Sequence, residues 1–138
     1  MADYLLDTSA ILTLIEDENG ADRVETILRE ETVWLPWLVL MECYYITQQE
    51  RGKAEANQRY ALLKELSAVI LWEMNEATVL TAARLKAEHR ISFADAVIAS
   101  FAIQHQAILL HKDPEYLSLT KQVQQEQLPY KGKTAKET

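Results

Sequence analysis

Four short apolar runs punctuate the chain: Tyr4 to Asp7, Thr32 to Leu35, Ala68 to Trp72 and Ala107 to Leu110. Each has the length of a buried strand. Between them lie longer stretches with apolar residues at helical spacing: Ala10 to Ile15, Asp22 to Glu30, Leu38 to Gln49, Ala54 to Leu66, Glu76 to His89 and Phe93 to Gln106. Strands separated by helices imply a parallel sheet covered by helices on both faces, because each connection must cross over the sheet. At 138 residues and 49% hydrophobic, the chain can bury one sizeable core, and three glycines and three prolines leave little for an internal linker. A single domain is expected over residues 1–128. The stretch 129–138, with Lys131, Lys133 and Lys136 and almost no apolar content, reads as a solvated tail that could brush a phosphate backbone. No internal repeat or low-complexity segment is present.

No apolar run approaches the roughly 18 residues of a membrane span, and Met1-Ala2-Asp3 lacks the basic start of a signal peptide. The single cysteine, Cys43, cannot form an internal disulfide, which suits a reducing cytoplasm; it reads as a small buried residue. A net charge of -7 argues against a broad basic surface for gripping nucleic acid. It does not exclude a nucleic-acid enzyme that approaches phosphate through divalent cations.

Four acids stand where an apolar residue or a plain turn would be ordinary. Asp7 closes Tyr4-Leu5-Leu6, Glu42 is the only charge between Glu31 and Glu50, Asp95 sits inside Ile91 to Ala99, and Asp113 follows Ala107 to Lys112. An isolated carboxylate in such surroundings costs several kcal/mol, so it is expected to meet a cation or hydrogen-bond donors. In parallel α/β sheets chemistry collects beyond the carboxyl ends of the strands, and Asp7 and Asp113 fall at or just past two such ends. Glu42 lies a turn into one helix and Asp95 in the first turn of another, so both can point at the same edge.

Three of the four have plainer roles open to them. Asp7 can cap the helix that follows it, Ser92-Phe93-Ala94-Asp95 fits a capping box, and Asp113-Pro114 is a common turn start. Glu42, mid-helix among Leu38, Val39, Leu40, Met41, Tyr44, Tyr45 and Ile46, has no such role, with tyrosine hydroxyls as its nearby partners.

Tyr4 to Ala10, Leu40 to Tyr45, Ser92 to Ala99 and Leu109 to Tyr116, in this order and spacing, resemble the PIN-domain ribonucleases, and within them the VapC-type toxins of bacterial toxin-antitoxin systems. The resemblance covers Asp3 to Leu119. It implies a PIN-like three-layer α/β/α fold with a central parallel sheet, and an acidic quartet, here Asp7, Glu42, Asp95 and Asp113, that holds Mg²⁺ or Mn²⁺ and cleaves RNA to leave a 5′-phosphate and a 3′-hydroxyl. It also implies a homodimer, silenced by a small antitoxin that often inserts an Arg or Lys into the acidic pocket. One position departs from the pattern: His111 stands where the family usually has threonine or serine. His111 could hydrogen-bond a carboxylate, bind metal or be merely structural. His89 and His105, near helix ends, are expected to meet terminal carbonyls.

Two carboxylates 4 Å apart repel by roughly 4 kcal/mol at an effective dielectric of about 20, so four cannot stay ionised together without a cation. Oxygen-only ligands select Mg²⁺ or Mn²⁺ over zinc. Thr8 or Ser9 would donate a hydroxyl hydrogen bond to the cluster. A phosphotransferase of the haloacid-dehalogenase kind would need a second aspartate two residues after Asp7, where Ser9 stands. The alternative is a catalytically inactive PIN-fold interaction module. Trp34, Trp37, Tyr44 and Tyr45 could serve an antitoxin contact or pack in the core.

Overall fold

A computed structural model describes residues 2–129. The sequence alternation resolves into β1 (Asp3–Leu6), α1 (Thr8–Ile15), α2 (Ala21–Glu30), β2 (Thr32–Pro36), α3 (Trp37–Arg51), α4 (Lys53–Glu65), β3 (Val69–Leu71), α5 (Glu76–Glu88), α6 (Phe93–Gln104), β4 (Ile108–His111), a 3₁₀ helix (Pro114–Leu119) and β5 (Gln125–Gln127). The strands form one sheet in the order β3-β2-β1-β4-β5, with every pairing parallel. Leu5, Leu6, Leu35, Leu109 and Leu110 have no exposed surface, as strands covered on both faces require.

The chain moves outward from β1 through β2 to β3, then returns across the sheet to β4 on the far side of β1. Right-handed crossovers therefore place α1 to α4 over one face and α5 with α6 over the other. The packing follows this division, with α1 against α2 and α3, α3 against α4, and α5 against α6, which also contacts β1 and β4, while α3 and α6 touch each other across it. This is the expected three-layer α/β/α arrangement. Gly52 joins α3 to α4 at φ +92°, a conformation that residues with a side chain rarely adopt.

Two elements escaped the sequence reading. β5 is polar throughout, Gln-Glu-Gln, and shows no apolar alternation. It is held by its ladder to β4 and by Glu126, which accepts from Arg23 Nε at 2.7 Å and from the Tyr4 hydroxyl at 3.0 Å. The 3₁₀ helix starts on Asp113-Pro114 and buries Tyr116 and Leu119. The first strand ends one residue earlier than expected because Asp7 is already the cap of α1, which begins at Thr8 rather than Ala10.

His89 and His105 do end α5 and α6, but their backbone N–H groups meet the carbonyls of Leu85 and Phe101, while the His105 ring stacks 4.7 Å from Trp34. Trp34, Trp37 and Tyr44 are half-buried and only Tyr45 is exposed. Of the basic tail, residues 130–138 lie outside the described residues. No helix among the described residues is long and apolar enough to cross a membrane.

Candidate metal centre at the carboxyl edge of the sheet

β1 and β4 are neighbours from which the chain departs in opposite directions, so the crevice beyond their carboxyl ends is the topological switch point of the sheet. Asp7 directly follows β1, its N–H held by Leu110 O at 3.2 Å, and Asp113 lies two residues past β4. Asp7 Oδ1 accepts from the Ala10 N–H at 2.9 Å and from the Ser9 hydroxyl at 2.7 Å. The capping role is therefore real, and it aims the carboxylate at the edge. Ser9 Oγ also accepts from the Lys112 N–H at 2.8 Å, tying the start of α1 to the end of β4.

Glu42, half-buried in α3, accepts from the Thr8 hydroxyl at 2.5 Å. Its expected tyrosine partner is absent, because the Tyr44 hydroxyl turns away to Asn57 Oδ1 at 2.7 Å. Asp95 sits in the first turn of α6, where the Ser92 side chain caps its N–H at 3.1 Å. The return arm of the capping box is not made by Asp95. The Ser92 N–H instead donates to Glu115 Oε1 at 3.0 Å, and Asp95 Oδ1 receives the buried Tyr116 hydroxyl at 3.1 Å. Asp113 Oδ1 caps the 3₁₀ helix by accepting from the Glu115 N–H at 2.9 Å.

Asp95, Asp113 and Glu115 each present a ligand oxygen within 4.8 Å of the others. Asp7 and Glu42 stand outside that trio yet within electrostatic reach. Burial pushes the Asp7 carboxyl up to about 7, against the Ser9 and Ala10 hydrogen bonds that lower it, and the charges of Asp113 and Glu42 add to the rise. Asp95 is raised by burial first, then by its hydrogen bond to Glu115 and the charge of Asp113. Glu115 is lowered, chiefly by that same hydrogen bond, so Asp95 is the partner that keeps the proton.

His111 is fully buried and spends both ring nitrogens on the protein. Nδ1 accepts from the Asp113 N–H at 3.1 Å; Nε2 therefore carries the proton and donates it to Gln125 Oε1 at 2.8 Å. Its burial lowers its pKa. His111 thus orients Asp113 and is not available as a metal ligand. Cys43 is buried with its thiol pushed up to about 12, which leaves it inert.

Among the described residues no Lys or Arg forms an ion pair with these five carboxylates; Lys112, the nearest in sequence, sends its ammonium to Glu18 Oε1 at 3.4 Å and Asn19 O at 2.9 Å. Lys86 acts on Glu115 by its charge without an ion pair, and the buried, raised carboxyls of Asp7 and Asp95 with oxygen-only donors around them fit a hard divalent ion such as Mg²⁺ or Mn²⁺. Sequence reasoning missed Glu115 and Tyr116. Their signal was the turn Asp113-Pro114-Glu115-Tyr116, which sends the next two side chains back toward the acid before the proline.

Among curated protein sequences none matches the chain. Several solved structures share its fold. VapBC2 from Rickettsia felis, bound to a DNA fragment from its promoter, superposes with a TM-score of 0.74 at 18% identity, covering 92% of this chain and 99% of that one. VapBC-1 from nontypeable Haemophilus influenzae gives 0.72 at 21%, covering 91% and 97%. Mycobacterium tuberculosis VapC20, a sarcin-ricin loop cleaving toxin, gives 0.68 at 14%, covering 83% and 93%. At these identities the likeness is one of fold. The sequence model of the PIN domain matches residues 4–121, and with the five-stranded parallel sheet and the acidic edge between β1 and β4, this chain belongs to the PIN domain family.

Proposed function

We propose that this protein is a divalent-metal-dependent ribonuclease of the VapC toxin type, regulated by a cognate antitoxin and acting in the cytoplasm. The observation that carries the reading is the convergence of Asp95, Asp113 and Glu115 beside buried Asp7 at the β1/β4 switch point, with no Lys or Arg in an ion pair with them among the described residues. Asp7, Glu42, Asp95 and Asp113 would hold Mg²⁺ or Mn²⁺. When bound, such an ion activates water and neutralises charge on a phosphodiester. Ser9 keeps Asp7 oriented, Thr8 does the same for Glu42, and His111 fixes the backbone of Asp113. The net charge of -7 requires that RNA approach through the ion rather than a basic surface.

The fold neighbours support the toxin-antitoxin setting, since they include VapBC assemblies and the VapC20 toxin. Two apolar grooves that share Trp37 offer partner surface. One, about 510 Å³, is lined by Leu40, Met41, Tyr44, Tyr45 and Trp72; the other, about 560 Å³, by Met74, Val79, Phe93 and Val97. An antitoxin segment and a second copy of the chain are the proposed occupants, with a basic antitoxin side chain entering the acidic edge.

The deciding experiment is cleavage of a structured RNA by the purified chain with Mg²⁺, Mn²⁺ or EDTA. Cleavage that needs the ion and leaves 5′-phosphate ends supports the reading. An inert wild type that still binds its antitoxin makes the protein a PIN-fold interaction module instead.

A further inference from the structure

Ser92-Phe93-Ala94-Asp95 has the spacing of a capping box, in which the acid at the third helical position accepts from the N–H of the capping residue. In this protein the hydroxyl arm of the box is made, since Ser92 Oγ accepts from the Asp95 N–H at 3.1 Å. The carboxylate arm is supplied from another element. Glu115, on the 3₁₀ helix, places Oε1 3.0 Å from the Ser92 nitrogen. The adjacent Tyr116, with no exposed surface, donates its hydroxyl to Asp95 Oδ1 at 3.1 Å and holds that carboxylate toward the acidic edge. The 3₁₀ helix is itself started by Asp113, whose Oδ1 accepts from the Glu115 N–H at 2.9 Å. One short element thus relieves Asp95 of its local role and pins it in the site.

We propose that Glu115 is a positioning residue that completes the α6 cap in place of Asp95, so that the Asp95 carboxyl turns from its own cap to Tyr116 and the acidic edge. Without it, Asp95 has an unoccupied N–H three residues away in its own turn, and the local capping box closes on Asp95 at the expense of the site. The two chain segments are 23 residues apart in sequence, and the Glu115 bond to the Ser92 N–H and the Tyr116 bond to Asp95 join them. The consequence for metal binding rests on the function proposed above, whereas the exchange of cap partners does not.

Two measurements on the full chain test it. Calorimetric titration with Mn²⁺ reads the site: Glu115→Ala should raise the dissociation constant by about 10- to 100-fold, the usual effect of removing an outer partner, while Glu115→Gln, which removes a charge from the edge but keeps an Oε1 acceptor for the Ser92 N–H, should weaken binding by clearly less than alanine does. Equal weakening by both variants would mean that Glu115 acts through its charge on the ion, and no weakening by alanine would mean that it positions nothing; either overturns the proposal. Hydrogen exchange of the Ser92 amide, followed by NMR in metal-free protein, reads the cap. Protection should survive Glu115→Ala, because Asp95 takes over, and vanish when Asp95→Ala is added. Loss of protection in Glu115→Ala alone refutes the exchange. A wild type that binds no Mn²⁺ defeats the metal reading, and the Ser92 amide then decides the exchange by itself.

Discussion

Asp7 is 2% exposed, accepts two hydrogen bonds on one oxygen, and still has its carboxyl pushed up from 3.8 to about 7, so burial outweighs the donors that local structure provides. Between those two values the folded protein holds a proton that the unfolded chain has released. Metal-free stability must therefore fall as pH rises through that window, by on the order of 4 kcal/mol from Asp7 at 1.36 kcal/mol per unit. Asp95, also raised, acts in the same direction; buried His111, whose pKa is lowered, opposes it below 6.5. Wild type and Asp7→Asn share the His111 and Asp95 contributions, so the difference between them, read in urea titrations with EDTA from about pH 4 to 7, should follow Asp7 alone, the variant losing less stability as pH rises. An unchanged slope in that variant would show that Asp7 ionises normally. The ion competes with the same proton, so Mn²⁺ affinity should rise as pH increases through about 7. For activity, Asp7→Asn, Glu42→Gln and Asp95→Asn should each lower metal-dependent RNA cleavage by about 100-fold or more while circular dichroism stays native. Asp113→Asn should be milder, because its capping of the 3₁₀ helix survives as an amide.

At the scale of elements, the joint between α3 and α4 isolates a single physical term. A Cβ built on Gly52 meets nothing within 4 Å, yet φ is +92°, so Gly52→Ala adds backbone strain without a clash. It should lower stability by about 1–2 kcal/mol, read as a shifted urea midpoint at constant slope. A neutral result would mean that the α3–α4 joint relaxes without cost. Midway along α4, Arg59, with its side chain 8% exposed, reaches Glu16 at 2.8 Å and Glu55 at 3.4 Å, a cation shared between the end of α1 and α4. Arg59→Met should cost about 1 kcal/mol, because Glu16 keeps Arg51 and Glu55 is 41% exposed, so neither acid is left buried without a partner. Arg51, 3.1 Å from Glu16 but half exposed, should matter far less on substitution.

For the whole molecule, the proposed metal site would couple ion binding to the fold. An ion that binds only the folded state stabilises it by about 2.7 kcal/mol at a hundredfold excess over its dissociation constant, which for a domain of this size raises Tm by roughly 10 °C. Millimolar Mn²⁺ should produce such a shift over EDTA. Asp95→Asn should raise the metal-free Tm by removing a buried acid from the cluster, and shrink the metal shift. Equal shifts in both proteins would separate Asp95 from the metal site.

Strand–helix alternation was legible in the sequence because apolar runs of strand length and stripes at helical spacing are local patterns that a buried parallel sheet imposes residue by residue. The family motifs around Asp7, Glu42, Asp95 and Asp113 were legible for the same reason, each lying within a few residues of its own strand or helix. β5 was not, because Gln125–Gln127 has no pattern of its own and exists only where β4 offers a free edge. Nor were the partners of the acids. Ser92 and Asp95 predict each other as a capping pair from sequence spacing alone, yet the Ser92 N–H goes to Glu115 and Asp95 turns to Tyr116. His111 offered several roles until β5 brought Gln125 to one ring nitrogen and the turn brought the Asp113 N–H to the other. Local spacing determines which groups can bond within a turn. Tertiary structure decides which of them do, because a donor from a distant element, once packed in place, competes on equal energetic terms with the nearest one.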